Sequence, residues 1–235
     1  MLRMIQQFIR AHKKTIHFWL DLVLNFVIVL GSVYVIRTFV MSLFIVSGPS
    51  MCDTLNYIDD KCQRGNAETI VVNKAVYQNF FGLKIGKPER GDIIVFHPPQ
   101  NPDEFFIKRI IGLPGETIKL KNGFVYIFNT DSPSGNKLDE PYLNKQNSGN
   151  TYQYQESDTE FIVPQDSYFV LGDNRIASSD SRSCFKESIL IGGCGREGNT
   201  PYLKRKNIEG KAWIAIWPLS KIGLLPNTAY SFAIK

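Results

Sequence analysis

The chain has 235 residues, 43% hydrophobic and 12% aromatic, which excludes a disordered polypeptide and is enough for one large or two small packed cores. The net charge of +5 is concentrated at the start: Arg3, Arg10, Lys13 and Lys14 precede the first acidic residue, Asp21, whereas from residue 41 onward 22 basic residues are matched by 21 acidic ones. So neutral a body excludes nucleic acid as the partner behind the basic balance.

Residues 16 to 36, "IHFWLDLVLNFVIVLGSVYVI", supply the run of about twenty apolar residues that crosses a bilayer as a helix. This predicts a basic cytoplasmic leader (1–15), a single span (16–38) with Trp19 and Tyr34 as interfacial anchors, and an extracytoplasmic domain (39–235) at an inner or plasma membrane. A cleaved signal peptide shares the basic start and apolar stretch. A retained anchor fits better, because the stretch exceeds an ordinary signal core and Arg37 stands where a small-x-small cleavage site would be. "FVMSLFIVSG" (39–48) is uncharged and can run along the lipid surface as an extended strand.

Beyond residue 60, short β-branched and aromatic runs alternate with turn residues: "ETIVVNKAVY", "GDIIVFHP", "EFFIKRIIGL", "ETIKLKNGFVYIFN", "TEFIVPQDSYFVLGD" and "KAWIAIWPL". They predict a mostly β domain, with one short helix at "NKAVYQNFFG" as the exception. Residues 129–158 are rich in Ser, Asn and Gly and read as a polar cap or surface excursion. In an oxidising compartment, a local disulfide between Cys184 and Cys194 is the simplest reading of that pair, while Cys52 and Cys62 carry no clear reading. None of the four has zinc-site spacing and no cofactor motif is present, so neither metal nor cofactor is expected.

"SGPSMCDTL" (47–55) places Ser50 just beyond the apolar run. A nucleophilic serine needs a base, and of the three histidines His12 and His17 fall on the leader side, while His97 precedes two prolines that force extended backbone. Lys108 is the other candidate. In "EFFIKRIIGL" a period-two pattern sends Phe106, Lys108 and Ile110 to one face and Ile107, Arg109 and Ile111 to the other. A lysine desolvated in so apolar a strand has a lowered pKa and can take a serine proton, whereas at a strand edge it is an ordinary surface residue.

Read together, Ser50-Met51 with Thr54-Leu55, "GDIIVF", "FIKRIIGLPGE" and "GDNRIASSDSR", following a single span, resemble the type I signal peptidases, and the closing "WPLSKIGLL" is similar too. The resemblance implies a coiled antiparallel β-sheet domain behind one transmembrane helix, with Ser50 as nucleophile and Lys108 as general base. Ser178 would support the Lys108 amine, and Asp180, Arg182, Asp173 and Arg109 would form structural ion pairs. It further implies cleavage of signal peptides from secreted pre-proteins after Ala-x-Ala. Val46, Ser47, Met51, Leu55, Phe106 and Ile107 would bind substrate, and membrane lipid and the secretion translocon would be partners.

The sequence departs from that pattern in three places. Asp53 replaces a proline and brings a carboxylate that would raise the pKa of Lys108. Gly48 replaces a serine found in some members, which leaves the oxyanion to the Ser50 backbone N–H at the Gly48–Ser50 turn. The stretch from Cys184 through "CGREGNTPYLKRK" is longer than the pattern needs. Two alternatives are an inactive anchored relative that binds pre-proteins or assembles an envelope complex, and the self-cleaving repressor family. The latter also pairs Ser with Lys but lacks a span.

Overall fold

The apolar run folds as helix α1 (Lys13–Val35), continued by a π-turn at Ile36–Val40. Together they form a segment of 28 residues, long and apolar enough to cross a membrane. The structure is a computed structural model describing residues 13–52, 54–58, 61–62, 64–65, 68–80, 83–153, 160–185, 194, 199–226, 228 and 230. Asp53 and the leader residues Arg3 and Arg10 lie outside them. The chain divides into two units, one ending at Met41 and the other running from Ser42 to Lys235.

The second unit is built from short strands. In chain order they are β1 (Met41–Val46), β2 (Tyr57–Ile58), β3 (Lys61–Cys62), β4 (Glu68–Asn73), β5 (Asn79–Phe80), β6 (Leu83–Lys84), β7 (Ile93–Phe96) and β8 (Phe106–Gly112). There follow β9 (Thr117–Lys121), β10 (Phe124–Asn129), β11 (Ser132–Lys137), β12 (Glu160–Ile162), β13 (Ser167–Leu171), β14 (Leu203–Lys204), β15 (Ile208–Trp217) and β16 (Gly223–Leu224). The main sheet has the order β1-β4-β15-β7-β8-β13-β14, with β16 added to β15. It is antiparallel from β4 to β14. Register shifts at Ile208/Gly210, Ala212/Ile214 and Ala215/Trp217 bend the long strand β15, and the sheet curls around it.

The second sheet, β11-β10-β9-β12, begins with a hairpin whose turn residues Asn122 and Gly123 both have positive φ (53° and 78°), as a tight two-residue connection requires. Three expectations are refined here. "NKAVYQNFFG" forms only a 3-10 turn at Ala75–Tyr77 followed by β5. "TEFIVPQDSYFVLGD" breaks into β12 and β13 around Pro164. The polar excursion contains a strand, β11, paired to β10 through Tyr126↔Lys137 and Ile127↔Asn136.

Period-two alternation gives β8 and β13 two different cores. Ile110 and Val170 join Ile94, Phe96, Tyr168 and Leu203. Ile111, Phe169 and Leu171 join Ile118, Val125, Ile127 and Phe161. A third cluster of Val46, Met51, Leu55, Ile70, Val72, Ile93 and Val95 lies beneath the turn that carries Ser50. Strand β8 is therefore interior: β7 on one side and β13 on the other cover its edges, with Lys108 opposite Ile94 and Arg109 opposite both Ile93 and Leu171.

Candidate active site

The Ser50 turn is made by backbone bonds from Cys52 N–H to Pro49 O (3.1 Å) and from Leu55 N–H to Met51 O (2.8 Å). Buried Asn56, at φ 57°, ties the turn to the strand before it, since its side-chain amide donates to Val46 O (2.8 Å) and Gly48 O (3.0 Å). Asn174 reaches across from the "GDNR" loop, its backbone N–H to Ser50 O (3.0 Å) and its side-chain amide to Pro49 O (3.1 Å). Among the described residues, no acceptor takes the Ser50 backbone N–H.

Lys108 Nζ donates to Ser50 Oγ at 2.8 Å and to Ile107 O at 2.8 Å. The lysine is only 3% exposed. Burial pulls its pKa down to about 8, although the Asp180 and Asp173 charges oppose that shift. His97 is engaged elsewhere, with Nδ1 2.5 Å from Pro102 O and its ring 4.3 Å from that of Phe105.

Two buried ion pairs brace the site. Arg109 holds Asp173 through Nε (2.9 Å) and Nη2 (2.6 Å), while Thr54 Oγ1 donates to the same carboxylate at 2.5 Å. Burial would lower the Arg109 pKa, but the Asp173 charge outweighs it and holds the guanidinium above its ordinary value. Arg182 pairs with Asp180 through Nε (2.9 Å) and Nη2 (2.8 Å). Burial would raise the Asp180 pKa, but the Arg182 pair together with the Gly172 N–H and the Ser178 hydroxyl keeps it below the ordinary carboxylate value.

Ser178 is buried against Gly172. A methyl group on that glycine would lie 2.1 Å from Ser178 Oγ and 2.4 Å from Ser50 O, so the loop backbone touches Ser50 and Ser178 at one point.

A cleft of about 720 Å³ opens at Ser50, with Phe44 to Ser50 along one wall and Glu104 to Lys108 along the other. Val46, Ser47, Phe106 and Ile107 line it, as does Gly48. Met51 and Leu55 do not. They are 0% and 1% exposed, turned into the core beneath the serine, so their expected place in the substrate pocket is corrected to one of support for the turn.

Both cysteine pairs are disulfide-bonded: Cys184 with Cys194, and also Cys52 with Cys62, which staples the hairpin β2–β3 directly after the Ser50 turn. Sequence reasoning left the second pair unread. It also missed Asn56, Asn174 and Gly172, of which the last two stand inside the quoted "GDNR" element.

The family model described as signal peptidase, peptidase S26, matches residues 19–217. Signal peptidase I of Leptolyngbya laminosa is 36% identical over 215 residues, covering 88% of this chain and 82% of that one. Signal peptidase I U of Bacillus subtilis (strain 168) is 37% identical over 166 residues, 68% of this chain and 75% of its own. Signal peptidase IB of Staphylococcus aureus is 31% identical over 213 residues, 86% and 91% of the respective chains. The chain belongs to the peptidase S26 signal peptidase family.

Proposed function

We propose that this chain is a signal peptidase I, a membrane-anchored serine endopeptidase in which Ser50 attacks the scissile carbonyl and Lys108 is the general base. The observation that carries this reading is the 2.8 Å contact between Lys108 Nζ and Ser50 Oγ, made by a lysine whose pKa burial has brought to about 8. The neutral amine takes the serine proton, delivers it to the leaving amine as the peptide C–N bond breaks, and then activates the water that hydrolyses the acyl-enzyme. The Ser50 N–H stabilises the oxyanion, and Ser178 supports the amine from the buried loop.

The substrate is a secreted pre-protein whose signal peptide lies extended between residues 44–48 and 104–107, adding backbone hydrogen bonds as a strand does. Its small side chains, alanine at the first and third positions before the cut, fit beside Val46, Ser47, Phe106 and Ile107. The basic leader stays in the cytoplasm and residues 39–235 stand outside an inner or plasma membrane. Leu43, Ile45, Trp213, Trp217, Leu219 and Leu224 are exposed on or beside β1, β15 and β16, and this apolar surface suits membrane lipid as the setting where the substrate waits.

The test is cleavage of a model pre-protein in detergent micelles by the wild type, Ser50→Ala and Lys108→Ala. Cleavage by the wild type and its loss in both variants is expected. Cleavage by Ser50→Ala would overturn the assignment, and a wild type that binds pre-protein without cutting it would point to an inactive relative.

A further inference from the structure

The polar excursion that reads as a surface cap sends two side chains into the interior beside the catalytic loop. Tyr142 is partly buried, and its ring lies under the Arg109 guanidinium, 3.9 Å from the arginine carbon to the ring centroid. Its hydroxyl donates to Glu140 Oε1 at 2.6 Å and accepts from Arg175 Nη2 at 3.2 Å. Glu140 in turn takes Arg175 in a two-pronged pair, 2.9 Å from Nη1 and 2.5 Å from Nη2. Thr151, at the far end of the excursion, accepts from Arg175 Nη1 at 2.5 Å.

Each end of this assembly reaches one half of the dyad. Arg109 follows Lys108 in β8 and is fully buried, so a ring stacked on its guanidinium braces the strand that carries the base. Arg175 Nε donates to Gly172 O at 3.0 Å, and Gly172 is the residue packed against both Ser178 and the Ser50 carbonyl. The excursion thus joins the Arg109–Asp173 pair to the Arg175–Glu140 pair, and through them the base strand to the Ser178 loop.

We propose that Glu140 and Tyr142 are positioning residues of the peptidase, holding Gly172 and Arg109 so that Ser50, Lys108 and Ser178 keep their mutual distances. The inference rests on the Ser50/Lys108 reading above. It makes residues 139–151 part of the catalytic apparatus and not a dispensable cap. Loosening the clamp admits water beside Lys108, which weakens the desolvation that lowers its pKa.

The test uses the full-length chain in detergent with a model pre-protein, comparing wild type, Glu140→Gln, Glu140→Asp and Tyr142→Phe, with Ser50→Ala in parallel. Tyr142→Phe keeps the ring on Arg109 and removes only the hydroxyl, so it reports even where Glu140→Gln folds poorly. For Glu140→Gln and Tyr142→Phe, kcat should fall by about tenfold or more while KM holds within about twofold, as misplacement of reacting groups requires. The rising limb of the kcat/KM profile should move to higher pH, with partial recovery in Glu140→Asp. If the profile is unmoved and activity follows only the folded fraction, the two residues are merely structural and the proposal falls. Should Ser50→Ala cleave like the wild type, the dyad reading itself fails. Inactive Ser50→Ala beside an unperturbed Tyr142→Phe overturns the positioning role alone.

Discussion

Lys108 Nζ and Ser50 Oγ are hydrogen-bonded at 2.8 Å although the residues stand 58 positions apart, and the lysine reaches this contact from an interior strand. The pH dependence follows from that burial. Desolvation favours the neutral amine, bringing its pKa to about 8, and only the neutral amine can accept the serine proton. Because the active form is the deprotonated one, kcat/KM should climb about tenfold per pH unit below the pKa and level off above pH 8. A steady-state profile from pH 6 to 10 checks it. A limb centred near the ordinary lysine value of about 10.4 would mean that the amine is hydrated in the working enzyme.

Gly172 is required for close approach. A Cβ there would come within 2.4 Å of the Ser50 carbonyl oxygen, a backbone atom that cannot turn aside, and 2.6 Å from Ser178 Cβ. Gly172→Ala should cost about 1–3 kcal/mol by overpacking. By displacing Ser50 from Lys108 it should also lower kcat by about a hundredfold. Thermal unfolding and single-turnover cleavage measure the two effects separately. Wild-type turnover in a folded Gly172→Ala protein would contradict the geometry.

The Cys52–Cys62 disulfide closes a short loop immediately after Ser50, with Cys52 fully buried. Cross-linking a loop of about ten residues constrains the unfolded chain by about 2–3 kcal/mol. The Cys52→Ala, Cys62→Ala double variant should accordingly unfold about 5–10 °C lower by calorimetry. Its kcat should also fall, because the hairpin that steadies the Ser50 turn is released. An unchanged melting temperature would show that the hairpin is held by other contacts.

How far the sequence could be read depended on whether a signal was local. The apolar run of α1, the alternation in β8 and the Asn122-Gly123 turn are properties of neighbouring residues, and each is visible in a short window. Ser50 and Lys108 stand in motifs that can be read from the sequence alone, and the fold brings their side chains together. Met51 and Leu55 were misplaced because both sides of the turn are apolar, and only the fold shows which side meets the core cluster of Val46, Ile70 and Val95. The pairing of Cys52 with Cys62 depends on hairpin β2–β3 bringing the two Cα atoms to 5.6 Å, which spacing alone does not encode. The excursion misled for a related reason. Its polar residues suggest solvent, yet Glu140 is bound to an arginine 35 positions away. Likewise β11, "SPSGNK", has little strand propensity and forms because β10 offers it an edge, with Gly135 packed on the Phe128 ring.

Gly48 offers a gain-of-function test. It lies two residues before Ser50 in the cleft wall, and a Cβ built on it meets no heavy atom within 4 Å, so a larger side chain fits without displacing a neighbour. Among the described residues, the Ser50 N–H is a donor left for a developing oxyanion in that turn. A hydroxyl at position 48 would add another. Losing one preorganised donor of this kind typically costs about a hundredfold or more in kcat. A donor introduced without an evolved support should recover only part of that, so Gly48→Ser should raise kcat by about two- to tenfold with KM little changed. Gly48→Ala serves as the control, since it adds the same Cβ without the hydroxyl and should leave kcat at the wild-type level. If both substitutions behave alike, the hydroxyl does not reach the oxyanion, and backbone groups alone stabilise it in this chain.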